Sequence, residues 1–175
     1  MTYKDELIKS MEYLSKDDRT IFIGQEADTF YGTMKTIPID KIIETPIFED
    51  TQLGISTGLS LEGYVPISLY TRMDFFILAM NQLVNHLDKI EDMSSGKFIP
   101  KVIVRVLVGN KTPIDPGPQH YQNYTDAVKL MVKNINIVEL TRKEDIFQSY
   151  KSALESDKST VLVELKELYH TWMCL

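Results

Sequence analysis

A carboxylate at Glu49 and an imidazole at His120 are the side chains with which this sequence could most readily do chemistry. Glu49 closely follows a short apolar segment, and His120 ends a loop rich in proline and glycine over residues 109–119. Carboxylates and imidazoles are common general acids and bases in enzymes. Each also has a structural interpretation, because a glutamate in the first turn of a helix complements the helix dipole and a histidine can be an ordinary loop residue. The residues alone favour the structural interpretation for Glu49 and leave both open for His120.

Motifs that identify common active sites are absent from the sequence. It holds no Gly-x-Gly-x-x-Gly, no Walker loop, no Gly-x-Ser-x-Gly and no His-Glu-x-x-His. The histidines, His86, His120 and His170, are far apart and lack the spacing of metal ligands. The single cysteine, Cys174, excludes an internal disulfide and a cysteine-based zinc site. The sequence therefore predicts no metal site.

The elements that must position these side chains alternate between strands and helices. Short apolar segments bounded by glycine or proline predict strands, and apolar residues at three- and four-residue steps predict helices. The predicted strands are 20–24, 41–45, 65–70, 101–108, 135–140 and 160–165, and the predicted helices are 2–16, 46–62, 74–91, 124–133 and 142–155. This order predicts an α/β domain with a mostly parallel, doubly wound sheet and helices on both faces.

The carboxyl ends of the predicted strands indicate where a ligand would bind. In open α/β sheets, ligands bind in the crevice beyond these ends. Segments 24–31, 45–50 and 109–120 each follow a predicted strand, and they include Glu49 and His120. The sequence therefore predicts its functional site at this edge of the sheet.

Length and charge limit the class of protein further. The 175 residues fit one domain, and 43% hydrophobic with 25% charged residues is ordinary for a soluble globular protein. Nineteen Lys and Arg against 25 Asp and Glu give a net charge of −6, which disfavours nucleic acid and anionic membranes as partners. The first ten residues lack the apolar core of a signal peptide, and no apolar segment reaches 18 residues. We therefore expect a cytoplasmic protein.

Six landmarks occur in an order and at a spacing that match one known family. They are Glu44-Thr-Pro-Ile-Phe-Glu49, Gly54-Ile-Ser-Thr-Gly58, Leu61-Glu-Gly-Tyr-Val-Pro66, Asp74-Phe75 with the following Ala79–His86, Met93-Ser-Ser-Gly96 and Gly117-Pro-Gln-His120. In these landmarks the sequence resembles the pyrimidine-binding (Pyr) domain of thiamine diphosphate enzymes, in the transketolase and 2-oxoacid dehydrogenase beta-subunit group. The resemblance covers about residues 18–170 and implies the fold of that domain.

The resemblance also implies roles for particular side chains. Glu49 would hydrogen-bond a ring nitrogen of the aminopyrimidine of thiamine diphosphate, and this contact would let the cofactor take the proton from its own thiazolium carbon. Phe75 would stack on the pyrimidine ring, and His120 would face the substrate and hold a carboxylate or another oxygen by hydrogen bonds. The other residues implied at the cofactor pocket are Glu26, Ile47, Phe48 and Thr71.

The sequence departs from the family pattern at three places. Arg72 stands where many relatives carry an aromatic or apolar residue, so it would bind an anionic group of the substrate or pair with Asp74. Residues 33–43 are too few for the full helix that the family has there, and the loop at 109–117 is poorer in glycine. These departures concern the identity of the substrate more than the use of the cofactor.

The resemblance finally implies a partner, because no Gly-Asp-Gly occurs in the sequence. In the family this motif belongs to a second, PP-type domain that binds the diphosphate and Mg²⁺. We therefore expect residues 1–175 to be a single Pyr-type domain, the PP-type and C-terminal domains being absent. The chain would be inactive alone and act as an α2β2 or similar assembly with a separately encoded PP-domain subunit that holds Mg²⁺. The small residues of helix 46–62 make it a candidate packing surface for such an assembly, with core packing an equal alternative.

The implied activity is that of a thiamine diphosphate-dependent decarboxylase or dehydrogenase subunit acting on a 2-oxo acid, or of a transketolase-like subunit acting on a ketose. The reaction would be decarboxylation, or transfer of an acyl or ketol unit. One alternative is a transketolase-type half acting on sugar phosphates, which the small number of His and Arg residues disfavours. Another is a non-catalytic α/β binding or regulatory module. The sequence leaves the donor, the acceptor and any lipoyl partner open.

Overall fold

The computed structural model describes residues 1–170, and within them six strands form one sheet. Cys174 and the side chain of His170 lie outside the described part. The strands are β1 (Thr20–Gly24), β2 (Ile42–Glu44), β3 (Val65–Thr71), β4 (Ile103–Val108), β5 (Asn136–Leu140) and β6 (Thr160–Leu165). Their order is β2-β1-β3-β4-β6-β5, and each of the five pairings is parallel. The predicted α/β fold with a parallel sheet is confirmed.

Strand β4 shows why the sheet is covered on both faces. Every one of its residues is buried, and neighbouring side chains of a strand point to opposite faces. Ile103 and Leu107 pack into one hydrophobic cluster, whereas Val104 and Val106 pack into another. A strand that is apolar on both faces is typical of a parallel sheet between two helical layers.

The helices form these two layers. Their bounds are α1 (Tyr3–Leu14), α2 (Glu49–Leu61), α3 (Met73–Phe76), α4 (Ile90–Met93), α5 (Thr125–Met131) and α6 (Lys143–Glu155). The helices α1 and α6 contribute side chains to the first cluster, and α2, α3 and α5 contribute to the second. None of the helices within residues 1–170 is long and apolar enough to span a membrane.

Helix α2 begins later than its sequence predicts. The prediction placed the first turn at Pro46 with Thr45 as N-cap, but the helix begins at Glu49 with Phe48 at the N-cap position. Phe48 has a non-helical backbone (φ −159°, ψ 71°) and a side chain that cannot accept a capping hydrogen bond. Residues 45–48 therefore form the connection between β2 and α2, and Glu49 keeps its predicted place in the first turn.

The predicted helix over 74–91 is interrupted. A 3-10 turn over Ile77–Ala79 and a π-helical turn over Gln82–Leu87 separate α3 from α4. The Nε2 group of Gln82 donates to Asp50, and the carboxylate of Asp88 accepts hydrogen bonds from backbone N–H groups of residues 133 and 134. These contacts with distant parts of the chain accompany the changes of pitch. The apolar stripe predicted for this segment is nevertheless its buried face, through Phe76, Ala79, Leu83 and Leu87.

The loop between β1 and β2 holds no full helix, as the small number of residues in 33–43 predicts. It contains only short 3-10 turns at Phe30–Gly32 and Ile39–Lys41. Thr33 in this loop accepts a hydrogen bond of 2.9 Å from the buried guanidinium of Arg105, which also lies 4.2 Å from the ring centroid of Phe30. The loop is thereby tied to the middle of β4.

Arg105 is itself part of a buried polar cluster between β4, β6 and α6. Its Nε donates to Glu164 at 2.5 Å, and the hydroxyl groups of Tyr150 and Tyr169 also donate to the Glu164 carboxylate. Burial and the charge on Glu164 raise the pKa of Tyr150 well above its ordinary value, which keeps this hydroxyl a hydrogen-bond donor. The cluster pairs the two buried charges with each other, although Nη1 of Arg105 has no hydrogen-bond partner among the described residues.

Candidate functional site

The candidate site lies where the strand order reverses, at the carboxyl ends of β1 and β3. From β1 the chain moves outward to β2 and then returns to β3 on the other side. Open α/β sheets bind ligands at such switch points. A cleft of about 430 Å³ opens there. Its lining residues are Gln25, Glu26, Tyr31, Ile47, Glu49, Thr71, Arg72, Phe75, Leu78 and His120.

The structure brings together the residues that the sequence singles out. Seven of the eight line this cleft, namely Glu26, Ile47, Glu49, Thr71, Arg72, Phe75 and His120. Phe48 lines an adjoining recess together with Ile47, Glu49 and Phe75. They lie at the end of β3 or in the segments that follow β1, β2, β3 and β4. Their roles stay predictions, but their proximity is a property of the fold.

Glu49 is positioned by a buried amide that sequence reasoning missed. Gln52, one turn further along α2, donates from Nε2 to the carbonyl oxygen of Leu69 at 2.8 Å and to Ser68 Oγ at 3.1 Å. The same amide lies 3.3 Å from the carbonyl oxygen of Ile23. These bonds join the start of α2 to both strands of the switch point. A single glutamine within a predicted helix gave no signal of this role.

Tyr70 supports the backbone of Glu49 from the end of β3. Its hydroxyl accepts a hydrogen bond from Ser68 Oγ at 3.1 Å and donates to the backbone carbonyl of Glu49 at 3.4 Å. Burial raises the pKa of Tyr70 above its ordinary value, so the phenol remains protonated. Tyr70 therefore belongs to the support of the helix start.

Glu26 occupies a backbone conformation that the neighbouring strand holds in place. Its φ is +52°, in the left-handed region that few side chains adopt. The carboxylate of Glu44, at the end of β2, accepts hydrogen bonds from the backbone N–H groups of Glu26 at 2.6 Å and Ala27 at 2.9 Å. Glu44 thus fixes the first turn of the loop after β1. Its position in the Glu-Thr-Pro landmark was the signal that could have identified it.

His120 is held by contacts on both its backbone and its ring. Its carbonyl oxygen accepts a hydrogen bond of 3.0 Å from the guanidinium of Arg72. Its ring meets the ring of Phe75 edge-on, at a centroid distance of 5.4 Å. Its Nδ1 atom is buried and has no hydrogen-bond partner among the described residues. One hydrogen bond of the imidazole is therefore left unsatisfied within the described part of the chain.

Arg72 does not pair with Asp74, which was one of its two predicted roles. The guanidinium turns instead to the carbonyl group of His120. Oδ1 of Asp74 accepts a hydrogen bond from the backbone N–H of Gln122 at 3.2 Å. The peptide bond between Thr71 and Arg72 is cis. Arg72 thus joins the connection after β3 to the loop after β4 and lines the cleft between them.

Gly109 allows the loop after β4 to close over its own strand. A Cβ atom on this residue would lie 1.8 Å from the carbonyl oxygen of His120, which is far inside van der Waals contact. Only glycine fits so close an approach of two backbones. The position of His120 therefore depends on a residue eleven positions earlier.

No group of three or more His, Cys, Asp or Glu side chains within residues 1–170 has an arrangement that could hold a metal ion. A wider groove of about 680 Å³ lies between the edge strand β5 and helix α6, and none of the predicted site residues lines it. The candidate site is accordingly the smaller cleft at the switch point, which combines carboxylates, an imidazole, a guanidinium and an aromatic ring.

Comparison with protein families gives one match to nearly the whole chain. Residues 8–171 match the family model described as transketolase, pyrimidine binding domain. The match includes all eight predicted site residues.

Curated relatives include two kinds of dehydrogenase subunit. The chain is 27% identical over 177 residues to the mitochondrial pyruvate dehydrogenase E1 component subunit beta of Ascaris suum, covering 97% of this chain and 48% of the relative. It is 23% identical over 167 residues to the 3-methyl-2-oxobutanoate dehydrogenase subunit beta of Mycobacterium tuberculosis, covering 90% of this chain and 46% of the relative. The chain thus spans about half the length of these proteins.

Among solved structures, the fold is similar to a chain described as split gene transketolase, inactive beta4 tetramer. The TM-score is 0.73 at 14% sequence identity, and the similarity covers 95% of this chain and 52% of the other. At this identity the comparison shows a shared fold.

Proposed function

The chain belongs to the transketolase pyrimidine-binding domain family, and from this premise we propose that it is the Pyr subunit of a split thiamine diphosphate-dependent enzyme. Its substrate would be a 2-oxo acid or a ketose, and its reaction decarboxylation or transfer of an acyl or ketol unit. One observation carries the proposal: Glu49, Phe75 and His120, which the family pattern singles out, line one cleft at the switch point of the sheet.

The cleft has the features that an aminopyrimidine ring requires. The Glu49 carboxylate can share a proton with a ring nitrogen, and the flat side chain of Phe75 can stack on the ring. The Nδ1 atom of His120 is buried without a partner among the described residues, so this imidazole beside the cleft has an unsatisfied hydrogen bond. Ile47, Phe48, Thr71 and Glu26 would form the remaining walls around the ring.

When bound, thiamine diphosphate supplies a carbon nucleophile and an electron sink, and the protein supplies placement and proton transfer. Glu49 would hold the proton at the pyrimidine nitrogen and fix the protonation state of the ring. His120 would hydrogen-bond a carboxylate or carbonyl oxygen of the substrate. Phe75 meets the His120 ring edge-on. It would therefore fix the position of the aminopyrimidine ring relative to the imidazole.

The rim of the cleft supports a partner subunit. Ile47, Phe48 and Leu78 are 65%, 65% and 63% exposed, although they are large apolar side chains beside a polar cleft. Such a patch is typical of a protein interface. We propose that a PP-domain subunit covers this rim, binds the diphosphate and Mg²⁺, and completes an α2β2 or similar assembly, so that the chain is inactive alone.

The names of similar proteins agree with this assembly. The dehydrogenase relatives are beta subunits, and the structural neighbour is described as a split gene product in an inactive tetramer. A cytoplasmic location and a single-domain organisation of residues 1–175 stay predictions. A transketolase-type half acting on sugar phosphates is the second candidate, and the guanidinium of Arg72 beside His120 favours it.

The decisive experiment measures thiamine diphosphate binding by isothermal titration calorimetry with this chain, with a candidate PP-domain subunit, and with both together. We expect tight binding and turnover of 2-oxo acid or ketose only in the mixture. Glu49→Gln should lower kcat by at least about 100-fold, because it removes the carboxylate while keeping the size of the side chain. Glu62→Gln, at the exposed C-terminal end of α2, is the matched control and should retain activity.

Three results would contradict the proposal. Turnover by this chain alone would exclude the shared site. Wild-type activity of the Glu49→Gln complex would exclude the role of Glu49. Binding of a small effector without any turnover, in a complex of correct composition, would support the non-catalytic alternative instead.

A further inference from the structure

Tyr31 lines the cleft from a backbone conformation that few side chains adopt. Its φ of 55° and ψ of 28° lie in the left-handed region, where the Cβ atom of an ordinary residue crowds its own backbone. Residues strained in this way persist only where the surrounding structure holds them, and they cluster at functional sites. Tyr31 combines the strain with a position in the wall of the cleft.

Surrounding contacts hold the turn that carries Tyr31. The backbone N–H group of Thr33 donates to the carbonyl oxygen of Thr29 at 3.1 Å. The hydroxyl group of Thr33 accepts the hydrogen bond from buried Arg105. The ring of Phe30 meets the ring of Tyr31 edge-on, at a centroid distance of 6.2 Å. The turn therefore cannot relax to an unstrained conformation without breaking contacts on both sides of Tyr31.

The Tyr31 ring lies at the end of the cleft where Arg72 and His120 are found. The ammonium group of Lys166, which follows β6, lies 4.5 Å from the centroid of this ring. Strands β3 and β4 separate β1 from β6, so a contact between residues that follow β1 and β6 spans the ends of both intervening strands. These strands lead to Arg72 and His120. Burial and the positive charge of Arg72 lower the pKa of the Lys166 ammonium, which agrees with a location of Lys166 near Arg72.

The rest of the cleft is needed for the cofactor under the proposed function. The aminopyrimidine ring would lie between Glu49 and Phe75, so the substrate would occupy the part of the cleft beside His120. A cleft of about 430 Å³ is near the lower end of the range for small-molecule sites. An aromatic side chain in the wall beside His120 therefore leaves little room for a long substrate.

We propose that Tyr31 is a specificity-determining residue whose ring closes the substrate end of the cleft. The ring limits the length of the chain on the reacting carbonyl carbon, so that the substrate is a short 2-oxo acid. The proposal rests on the proposed function, because the cleft is taken to hold the substrate beside His120. Tyr31 belongs to none of the six sequence landmarks. A pocket that fits or rejects one methylene group changes kcat/KM by about 10- to 200-fold, so one side chain is enough for such a limit.

A first experiment tests the position of the ring in the isolated chain. The face of an aromatic ring shifts the NMR signals of nearby protons upfield, so the ε-protons of Lys166 report on Tyr31. We expect an upfield shift in the wild type and in Tyr31→Phe, and an ordinary lysine shift in Tyr31→Gly. Circular dichroism verifies that each variant is folded. An ordinary Lys166 shift in the wild type would place the ring elsewhere and overturn the proposal.

A second experiment measures substrate preference in the complex with the PP-domain subunit. Values of kcat/KM are compared for pyruvate and for 2-oxohexanoate, which is longer by three methylene groups. Tyr31→Gly removes the ring and fits the left-handed backbone, and Tyr31→Phe keeps the ring without its hydroxyl group. Tyr64→Gly is the matched control, because Tyr64 is exposed and precedes β3, at the opposite edge of the sheet.

We expect the wild type to prefer pyruvate at least about tenfold, and Tyr31→Gly to lose at least about tenfold of this preference through a higher kcat/KM for 2-oxohexanoate. Tyr31→Phe and Tyr64→Gly should keep the wild-type preference. A purely structural role of Tyr31 would lower kcat/KM for both acids together. An unchanged ratio in Tyr31→Gly would therefore overturn the proposal.

Other outcomes are also decisive. A wild-type preference for 2-oxohexanoate or for xylulose 5-phosphate over pyruvate would overturn the size limit. Loss of the preference in Tyr31→Phe would overturn it too, because the hydroxyl group and not the ring would then select the substrate. Absence of turnover and of thiamine diphosphate binding in the complex would refute the proposed function, and the role of Tyr31 with it. Turnover with an unchanged ratio would refute the role of Tyr31 alone.

Discussion

The missing side chain of Gly109 sets the position of His120. The two backbones approach so closely that a Cβ on residue 109 would overlap the carbonyl oxygen that Arg72 also contacts. The position of the imidazole therefore depends on the absence of a side chain at Gly109, just after β4, and on the hydrogen bond from Arg72. Neither condition involves the ring itself, so both can be changed while His120 is kept.

Gly109→Ala should displace the loop that carries His120. We expect the free energy of unfolding to fall by about 1–3 kcal/mol, because the added methyl group must push the backbone aside. The NMR resonance of the His120 imidazole should shift. Urea unfolding and NMR of the isolated chain measure these effects.

Gly58→Ala is the matched control, since Gly58 is exposed in α2 and a Cβ there meets no atom within 4 Å. Alanine should raise the free energy of unfolding by about 0.5–1 kcal/mol through its better helix propensity. If Gly109→Ala were as stable as the wild type with an unchanged His120 resonance, the close approach would not constrain the loop. If Gly58→Ala weakened only association with the partner, it would support the packing role predicted for this helix.

At the scale of the elements, the local sequence pattern predicted the strands correctly. It did not predict the helix features that depend on contacts with distant residues. Strands such as β1 and β6 are short apolar segments, and the structure gives them within one residue of their predicted bounds. The predicted start of α2 was wrong because Pro46 favours a first turn, whereas the backbone is still non-helical at Phe48. The pitch changes near Gln82 could not be predicted, because its partner Asp50 is 32 residues away.

Some residues of the candidate site could be located from the sequence, and others could not. Glu49 and His120 follow strands and belong to family landmarks, so both could be located from the sequence. Gln52 could not, because its importance depends on which strand ends the fold brings together. The predicted pairing of Arg72 with Asp74 was wrong because the guanidinium donates to the His120 carbonyl instead.

Asp88 joins two elements and should make their junction sensitive to acid. Its buried carboxylate accepts hydrogen bonds from Lys89 and from the backbone N–H groups of Lys133 and Asn134. Burial raises the pKa of Asp88. The hydrogen bonds together lower this pKa by a larger amount, so the net shift is downward. The ionised form therefore contributes stability above about pH 4, the ordinary pKa of aspartate, and this contribution is lost as the pH falls toward the lowered pKa.

We expect Asp88→Asn to lower the free energy of unfolding by about 1–3 kcal/mol at pH 6 and by much less at pH 3. Urea unfolding at both pH values measures the difference, with the exposed Asp157→Asn as control. A destabilisation of the same size at both pH values would show that the carboxylate charge at Asp88 is not responsible.

At the scale of the whole molecule, the exposed rim of the cleft matters most. A PP-domain partner that covers Ile47, Phe48 and Leu78 would bury apolar surface and exclude water from Glu49. The isolated chain keeps this surface exposed, so the proposal ties the activity to assembly.

Leu78→Asn should weaken binding of the partner at least about tenfold, as expected for a buried apolar contact at an interface, without lowering the thermal stability of the isolated chain. Surface plasmon resonance measures the affinity. Leu130→Asn is the control, because Leu130 is even more exposed (89%) but lies on α5, outside the cleft. If both variants bound the partner with wild-type affinity, the rim would not be the interface.

The hydrogen bond from buried Arg105 to Thr33 has a consequence for how the cleft moves. Amide hydrogen exchange reports the smallest unit that must open before a segment meets solvent. Thr33 and the ring of Phe30 both contact Arg105, which lies in the middle of β4. The turn at Phe30–Gly32 therefore cannot open unless the core around Arg105 opens as well. We expect the amides of residues 30–33 to exchange as slowly as those of the central strands. The wall that carries Tyr31 would then persist until the whole domain unfolds.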